Sequence, residues 1–144
     1  MNFDGFTSIS FPKDDDIVYV LCFKKLGDSS ETPFYVGESG RGTRRLGDYL
    51  TAQFAAPTDF KVGVVIKALQ ALGAEVIVKY RRSDDRKAEE KQLIQEVAKY
   101  YPLLNDESNF NYKSDARLAQ SERFEAIAVA LLMGTHPLRV IGNA

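Results

Sequence analysis

The stretch IVYVLCF, from Ile17 to Phe23, decides the fold. It consists of β-branched, aromatic and other apolar residues without a glycine or proline, a composition typical of a buried strand. A second short run of this kind, Phe34 to Gly37, follows after a turn-like segment that contains Gly27. Two strands at this separation predict an antiparallel hairpin with a long loop.

The rest of the chain alternates between helical and strand patterns. The predicted elements are a helix at 44–54 after the N-cap Thr43, a helix at 60–72 that Gly73 ends, a strand at 74–81, a helix at 83–101 that Pro102 ends, and a helix from 115 or 121 to 133. This order predicts an α+β fold, in which helices flank a small three-stranded antiparallel sheet. We expect residues 1–144 to form a single domain.

The composition is that of a soluble globular domain. The 144 residues carry 19 Lys+Arg and 20 Asp+Glu, a net charge of −1, and 44% of them are hydrophobic. These values exclude collagen-like, disordered and disulfide-stapled chains. The longest apolar run, Ala126 to Met133, is too short to span a membrane, and the first residues do not match a signal peptide. We therefore expect a cytoplasmic protein with no membrane partner.

Glu90 is the most informative single residue. At about 100° per residue, Leu93, Ile94 and Val97 lie within roughly 60° of it, so its carboxylate falls in the middle of an apolar helix face. Burial there is costly unless the carboxylate is paired, hydrogen-bonded or bound to a metal. An ion pair with an arginine, or a frayed first turn that reaches water, explains Glu90 equally well. Since the chain has one Cys and one His, a metal site would use carboxylate oxygens, which favour Mg²⁺ or Mn²⁺.

Two pairs of residues have both a functional and a packing interpretation. Arg45 and Tyr49 are four apart on a predicted helix, so together they suit an anion. They equally fit a solvated arginine whose stem lies over a packed tyrosine. Tyr19 and Tyr35 lie one in each hairpin strand, where cross-strand tyrosines commonly do no more than pack.

The segment GESGRGTR, from Gly37 to Arg44, has the glycine spacing of a phosphate-binding loop. Thr43 and Arg44 stand where that loop needs a lysine and a hydroxyl. A glycine turn before a helix is therefore the simpler explanation of this segment.

Taken together, these residues resemble the GIY-YIG endonuclease family. The first family motif appears as Ile17-Val18-Tyr19, without its leading glycine, and the second as Tyr35-Val36-Gly37. The family's helix arginine, the tyrosine one turn later, the helix glutamate and the asparagine are matched, in this order, by Arg45, Tyr49, Glu90 and Asn105. The resemblance covers residues 16–105, about 90 of the 144, as a catalytic core, and leaves 106–144 as a C-terminal helical extension.

The resemblance implies a divalent-metal-dependent DNA endonuclease that hydrolyses phosphodiester bonds. In this scheme Glu90 holds one Mg²⁺ or Mn²⁺ at the scissile phosphate. Tyr19 or Tyr35 orients and deprotonates the attacking water. Arg45 stabilises the transition state, and Tyr49 positions the phosphate or the water. In the same scheme, Gly37 and Asn105 would support the site rather than react.

Other interpretations of the same chain stay open. The alternative function is a catalytically weak or inactive nucleic-acid-binding module with the same fold, and nucleotide binding at 37–44 is a third. Cutting both strands would call for two active sites, as in a homodimer formed through the apolar face of 118–132. That face can instead pack on the sheet.

The net charge of −1 does not exclude DNA, because a phosphate responds to cations within roughly 8 Å at physiological salt. Local basic clusters on either side of the predicted site are Arg41, Arg44 and Arg45, and Lys79, Arg81, Arg82, Arg86 and Lys87. We expect double-stranded or branched DNA to bind to one face, with a salt-sensitive affinity.

Overall fold

The computed structural model describes residues 15–41, 57–106 and 113–134. In these ranges the strands are β1 (Ile17–Lys24), β2 (Thr32–Ser39) and β3 (Glu75–Arg82), the helices are α1 (Pro57–Ala71), α2 (Arg86–Ala98) and α3 (Arg117–Leu132), and single 3₁₀ turns lie at Leu104–Asp106 and Ser114–Ala116. The predicted α+β class and three-stranded antiparallel sheet are confirmed. The helix predicted at 44–54 and its N-cap Thr43 lie outside the described residues.

The sheet has the order β2-β1-β3, with β1 antiparallel to both neighbours. Because β1 is central, both of its edges are hydrogen-bonded and both faces are covered, which explains its continuous apolar sequence. β2 is longer than the predicted 34–37, since its ladder with β1 continues past a bulge between Leu21 and Cys22. Pro33 is tolerated in β2 because this strand is at the edge of the sheet.

The two faces of the sheet pack against different helices. Alternate residues of β1, from Ile17 to Phe23, join residues of α1 and α3 in one hydrophobic core. Phe60 of α1 meets Phe124 of α3 edge to face, with ring centroids 6.3 Å apart. The contacts of α3 are mainly with α1, whereas packing on the sheet was the expected use of its apolar face. On the opposite face, α2 lies over β1 and β2.

The helix that carries Glu90 is shorter at both ends than the sequence predicts. The predicted start at Ser83 is displaced because Asp85 is the N-cap, and its side chain accepts a hydrogen bond from the Ala88 N–H at 3.5 Å. The helix ends before Tyr101. Tyr101 therefore does not share the helix face that carries Glu90.

Glycines in the left-handed region follow two of the helices. Gly73, with φ of 91°, comes two residues after α1, and Gly134, with φ of 74°, comes two residues after α3. The Ala74 N–H returns to the Leu69 carbonyl at 3.0 Å, as expected where a glycine ends a helix. None of the helices in the described ranges combines the length and apolar character needed to cross a lipid bilayer.

Candidate active site at the edge of β2

The candidate site lies along the outer edge of β2, the edge that does not pair with β1. Here the Asn105 side chain holds the backbone of Val36: its Oδ1 accepts from the Val36 N–H at 2.9 Å, and its Nδ2 donates to the Val36 carbonyl at 2.7 Å. Backbone groups two residues apart in a strand point to the same side, so the Glu38 N–H faces this edge too. It donates to the carboxylate of Glu90. Asn105 and Glu90 thus hold successive outward-facing peptide groups of one strand.

Tyr19 reaches the same part of β2 from the core side. It pairs with Gly37 across the β1–β2 ladder, and its ring and hydroxyl lie against that glycine. A Cβ atom at position 37 would stand 2.7 Å from Cε2 of Tyr19, so only glycine leaves room for the ring. Tyr19 therefore contacts Gly37, and Glu90 contacts the backbone of the next residue, Glu38.

The two tyrosines of the motifs are neighbours in the core. The ring centroids of Tyr19 and Tyr35 are 6.4 Å apart, and the rings are tilted by 43°. Only 1% of Tyr19 and 8% of Tyr35 are exposed. Both rings therefore contribute to packing, whatever their hydroxyls do.

The charge next to Glu90 is negative. Burial of this half-buried side chain raises the pKa of Glu90 above its ordinary 4.5, the negative charge of Glu38 raises it further, and the bond from the Glu38 N–H lowers it. Among the described residues, Arg86 forms its ion pair not with Glu90 but with Glu38, whose Oε2 is 2.5 Å from Nε of Arg86.

Arg86 lies in the middle of a small ion-pair network. Besides Glu38, its guanidinium contacts Oδ2 of Asp16 at 3.1 Å. The hydrogen bond to Glu38, followed by the charge of Asp16, raises the pKa of Arg86 above its ordinary value. In the sequence, Arg86 is recognisable only as part of a basic cluster, and no local pattern distinguishes Glu38. The four-residue spacing of Arg86 and Glu90, which puts both on one face of α2, was the available signal.

The candidate metal ligand at this edge is the carboxylate of Glu90. The described part of the chain has no group of three or more His, Cys, Asp or Glu side chains that could hold a metal ion. It does have the carboxylate of Glu90, whereas the neighbouring carboxylate of Glu38 is already paired with Arg86. A metal here would take Glu90 as its protein ligand and complete its shell with water and phosphate oxygens.

The basic residues of β3 are paired with acidic side chains. The three pairs are Lys79 with Glu31, Arg81 with Glu89 at 3.4 Å, and Arg82 with Asp15 at 2.8 Å. Between 59% and 77% of each basic side chain is exposed. β3 is at the opposite edge of the sheet from β2. These cations therefore lie along the other edge of the sheet, although Arg81 reaches Glu89, the residue directly before Glu90.

The start of the predicted phosphate-loop pattern lies within a strand. Gly37 is in β2, and the Tyr19 ring occupies the space above it. A phosphate loop needs its first glycine in an open turn, where backbone N–H groups can surround the ligand. The geometry at Gly37 is therefore against nucleotide binding by this pattern.

The described residues bring five of the predicted site residues to one region, namely Tyr19, Tyr35, Gly37, Glu90 and Asn105. Arg41 is exposed just after β2, and its backbone N–H donates to Oγ of Ser39 at 2.9 Å. Three further predicted residues, Arg44, Arg45 and Tyr49, lie outside the described residues. Comparisons with protein-family models, with curated proteins and with solved structures find no match for this chain.

Proposed function

We propose that this chain is a divalent-metal-dependent endonuclease that hydrolyses DNA phosphodiester bonds by a GIY-YIG-type mechanism. The observation that carries the proposal is the position of Glu90, a half-buried carboxylate at the outer edge of β2 with a second carboxylate beside it. A purely structural glutamate would gain more from a cation partner than from this neighbour. The tyrosine of the first motif contacts the adjacent residue, Gly37, which supports the same assignment.

In the proposed reaction, Glu90 would hold Mg²⁺ or Mn²⁺, which when bound would supply Lewis-acid chemistry at the scissile phosphate. Tyr19 or Tyr35 orients the attacking water through its hydroxyl. Since a free phenol has a pKa near 10, accepting the proton of that water requires a nearby cation. Arg45 stabilises the charge that develops on the phosphate, and Tyr49 positions the phosphate or the water.

Two further residues support this site without reacting. Asn105 bonds both the N–H and the carbonyl of Val36, so it fixes the position of the β2 edge against which a phosphate would lie. Gly37 leaves room for the Tyr19 ring. Neither residue needs to touch the substrate for its replacement to reduce the rate.

In this proposal, basic side chains bind DNA by exchanging their carboxylate partners for phosphates. Arg41, Arg44, Lys79, Arg81 and Arg82 contact phosphates in place of the carboxylates that hold some of them now. Exposed ion pairs contribute little to stability, so replacing a carboxylate partner by a phosphate costs little free energy. Because the charge is confined to local clusters, affinity should fall steeply with salt concentration.

A nicking assay tests the proposal. Supercoiled plasmid and branched DNA are incubated with the wild type, Glu90→Ala and Glu96→Ala in Mg²⁺ or Mn²⁺ and in EDTA. Glu96 is an exposed glutamate of the same helix, so its replacement is the matched control. We expect metal-dependent cleavage by the wild type and by Glu96→Ala only, with all three proteins folded by circular dichroism. Undiminished cleavage by folded Glu90→Ala would refute the role of this residue.

The burial of both motif tyrosines favours a second candidate function. With Tyr19 only 1% exposed, its hydroxyl has little access to a substrate in this conformation. A nucleic-acid-binding module that keeps the fold without cutting needs these rings only for packing. Stoichiometric binding in a gel shift, with no nicking under any metal on a panel of duplex, branched and single-stranded DNA, would favour this candidate.

We also propose a cytoplasmic location for this nuclease. Cutting both strands of a duplex would require two active sites, and a homodimer is the simplest arrangement that supplies them. Sedimentation velocity with and without a DNA duplex measures the oligomeric state directly.

A further inference from the structure

Helix α2 holds one residue of β2 at two points. Arg86 Nε bonds the side-chain carboxylate of Glu38 at 2.5 Å, and the Glu90 carboxylate accepts the backbone N–H of the same residue. Arg86 and Glu90 are four residues apart, so they are neighbours on one face of the helix. One turn of α2 therefore contacts both the side chain and the main chain of Glu38.

The guanidinium of Arg86 also spans the ends of two strands. It bonds Asp16, directly before β1, at 3.1 Å. It lies against Gly40, directly after β2, where an added Cβ would be 3.2 Å from Cζ of Arg86. A single side chain thus ties the first turn of α2 to both strands of the hairpin.

These polar contacts matter because α2 has little else to hold it in place. None of its side chains is fully buried, and its apolar residues Leu93, Ile94 and Val97 are only half-buried. Burial of apolar area therefore gives α2 a weaker hold on the sheet than α1 and α3 have on the core. The position of Glu90 then depends strongly on the contacts of the same helix turn.

We propose that Arg86 is a positioning residue, which acts through Glu38 to fix the Glu90 carboxylate at the β2 edge. This rests on the proposed function, since it deepens the account of the same site. Arg86 does two things there. It sets the distance between α2 and β2, and it offsets the charge of Glu38, which would otherwise repel Glu90. Without it, Glu90 moves away from the Glu38 N–H and binds a divalent ion more weakly.

The test compares Arg86→Gln and Arg86→Lys with Lys91→Gln. Lys91 is exposed on the same helix, so its replacement gives the same change of charge but leaves the contacts of Arg86 and Glu90 with Glu38 in place. The first measurement is the backbone amide resonance of Glu38 and its hydrogen-exchange rate, in metal-free wild type and variants. The resonance and the exchange rate of this amide report its bond to Glu90, whether or not the protein cuts DNA. The second is the Mn²⁺ concentration for half-maximal cleavage.

We expect Arg86→Gln to shift the Glu38 amide upfield and to speed its exchange about tenfold, with a smaller change for Arg86→Lys and none for Lys91→Gln. The Mn²⁺ midpoint should rise about tenfold to a hundredfold in Arg86→Gln, as is typical when an outer-shell partner is lost, and Arg86→Lys should restore part of it. If Arg86→Gln does not fold, Glu38→Gln replaces it, because this change removes the ion pair but keeps the N–H.

An unchanged Glu38 amide in a folded Arg86→Gln protein would overturn the positioning role, even if the wild type cleaves DNA. A wild type that cleaves nothing would overturn the proposed function, while the amide measurement would still decide whether Arg86 positions Glu90. The two failures are therefore distinguishable.

Discussion

The aromatic ring of Tyr19 lies directly on Gly37, its partner across the β1–β2 ladder. A cross-strand pair normally joins two side chains, each of which covers part of the other. Here one partner has no side chain, and the ring and hydroxyl of the other occupy the space above it. The small residue of one motif thus determines where the tyrosine of the other can lie.

Replacing Gly37 by alanine should therefore destabilise the protein. The new Cβ would overlap the Tyr19 ring, with a separation of 2.7 Å from Cε2, and a buried ring has no free space to move into. We expect a loss of about 1–3 kcal/mol in the free energy of unfolding, as for other overpacked sites. Urea unfolding, monitored by circular dichroism, measures it.

A double-mutant cycle controls for other effects of the added methyl group. In a Tyr19→Ala background the overlap is absent, so Gly37→Ala should cost much less than in the wild type. Equal costs in the two backgrounds would show that the ring is not what excludes a side chain at this position.

Replacing Asn105 by alanine should loosen the edge of β2. The substitution removes both the acceptor for the Val36 N–H and the donor for the Val36 carbonyl, at a cost of about 1–3 kcal/mol. Amide exchange of Val36 should accelerate more than that of residues in β1, whose partners are unchanged. Asn105→Asp keeps the acceptor and loses the donor, so it should protect the Val36 amide better than alanine does. Equal protection of Val36 in the wild type and in Asn105→Ala would contradict this account.

Local patterns were enough to predict the three-stranded sheet, but not its strand order. A continuous apolar run identified β1, period two identified β3, and a period of about 3.6 identified the three described helices, because each element buries one face or both. The ends were less accurate: the start of α2 depends on which of Ser83, Asp84 and Asp85 caps it, and all three are good capping residues. β2 was predicted too short because its ends are held by pairing with β1, which leaves no local signal.

The site was only partly predictable for the same reason. The helical position of Glu90 follows from spacing within α2, so the sequence could identify it as unusual. Its neighbour Glu38 belongs to another element, 52 positions earlier in the chain, and their contact depends on how α2 lies on the sheet. The family resemblance implied that Asn105 supports the site, but its bonds to Val36 are likewise non-local and were not predicted.

The exposed ion pairs of β3 should affect DNA binding more than stability. Arg81→Gln removes the pair with Glu89, whose atoms are 3.4 Å apart with 66% of the arginine exposed, and should change the free energy of unfolding by less than about 0.5 kcal/mol. On the proposed function it also removes a phosphate contact, so the slope of log affinity against log salt should fall by about 1. Fluorescence anisotropy with a labelled duplex measures both affinity and slope.

The matched variant Glu89→Gln frees Arg81 and removes a negative charge, so it should raise DNA affinity. If Arg81→Gln left both the affinity and the salt slope unchanged, this residue would not belong to the interface.

Glu90→Gln should stabilise the protein at neutral pH. The pKa of Glu90 is raised above 4.5, mainly by burial and then by Glu38, so between its unfolded and folded values the native state binds more protons than the unfolded state. The stabilisation that comes from the raised pKa of Glu90 is therefore fully present below about pH 4.5, and it is lost as the pH rises through the pKa of the folded state. Glutamine stays neutral and avoids this loss, so we expect a gain of less than about 1 kcal/mol at pH 7.5, since solvent screens a half-buried group. The gain should shrink as the pH falls below 4.5. Urea unfolding at both extremes of pH measures it, with Glu96→Gln as the correction for one lost charge, and a gap that widens toward acid would contradict the prediction.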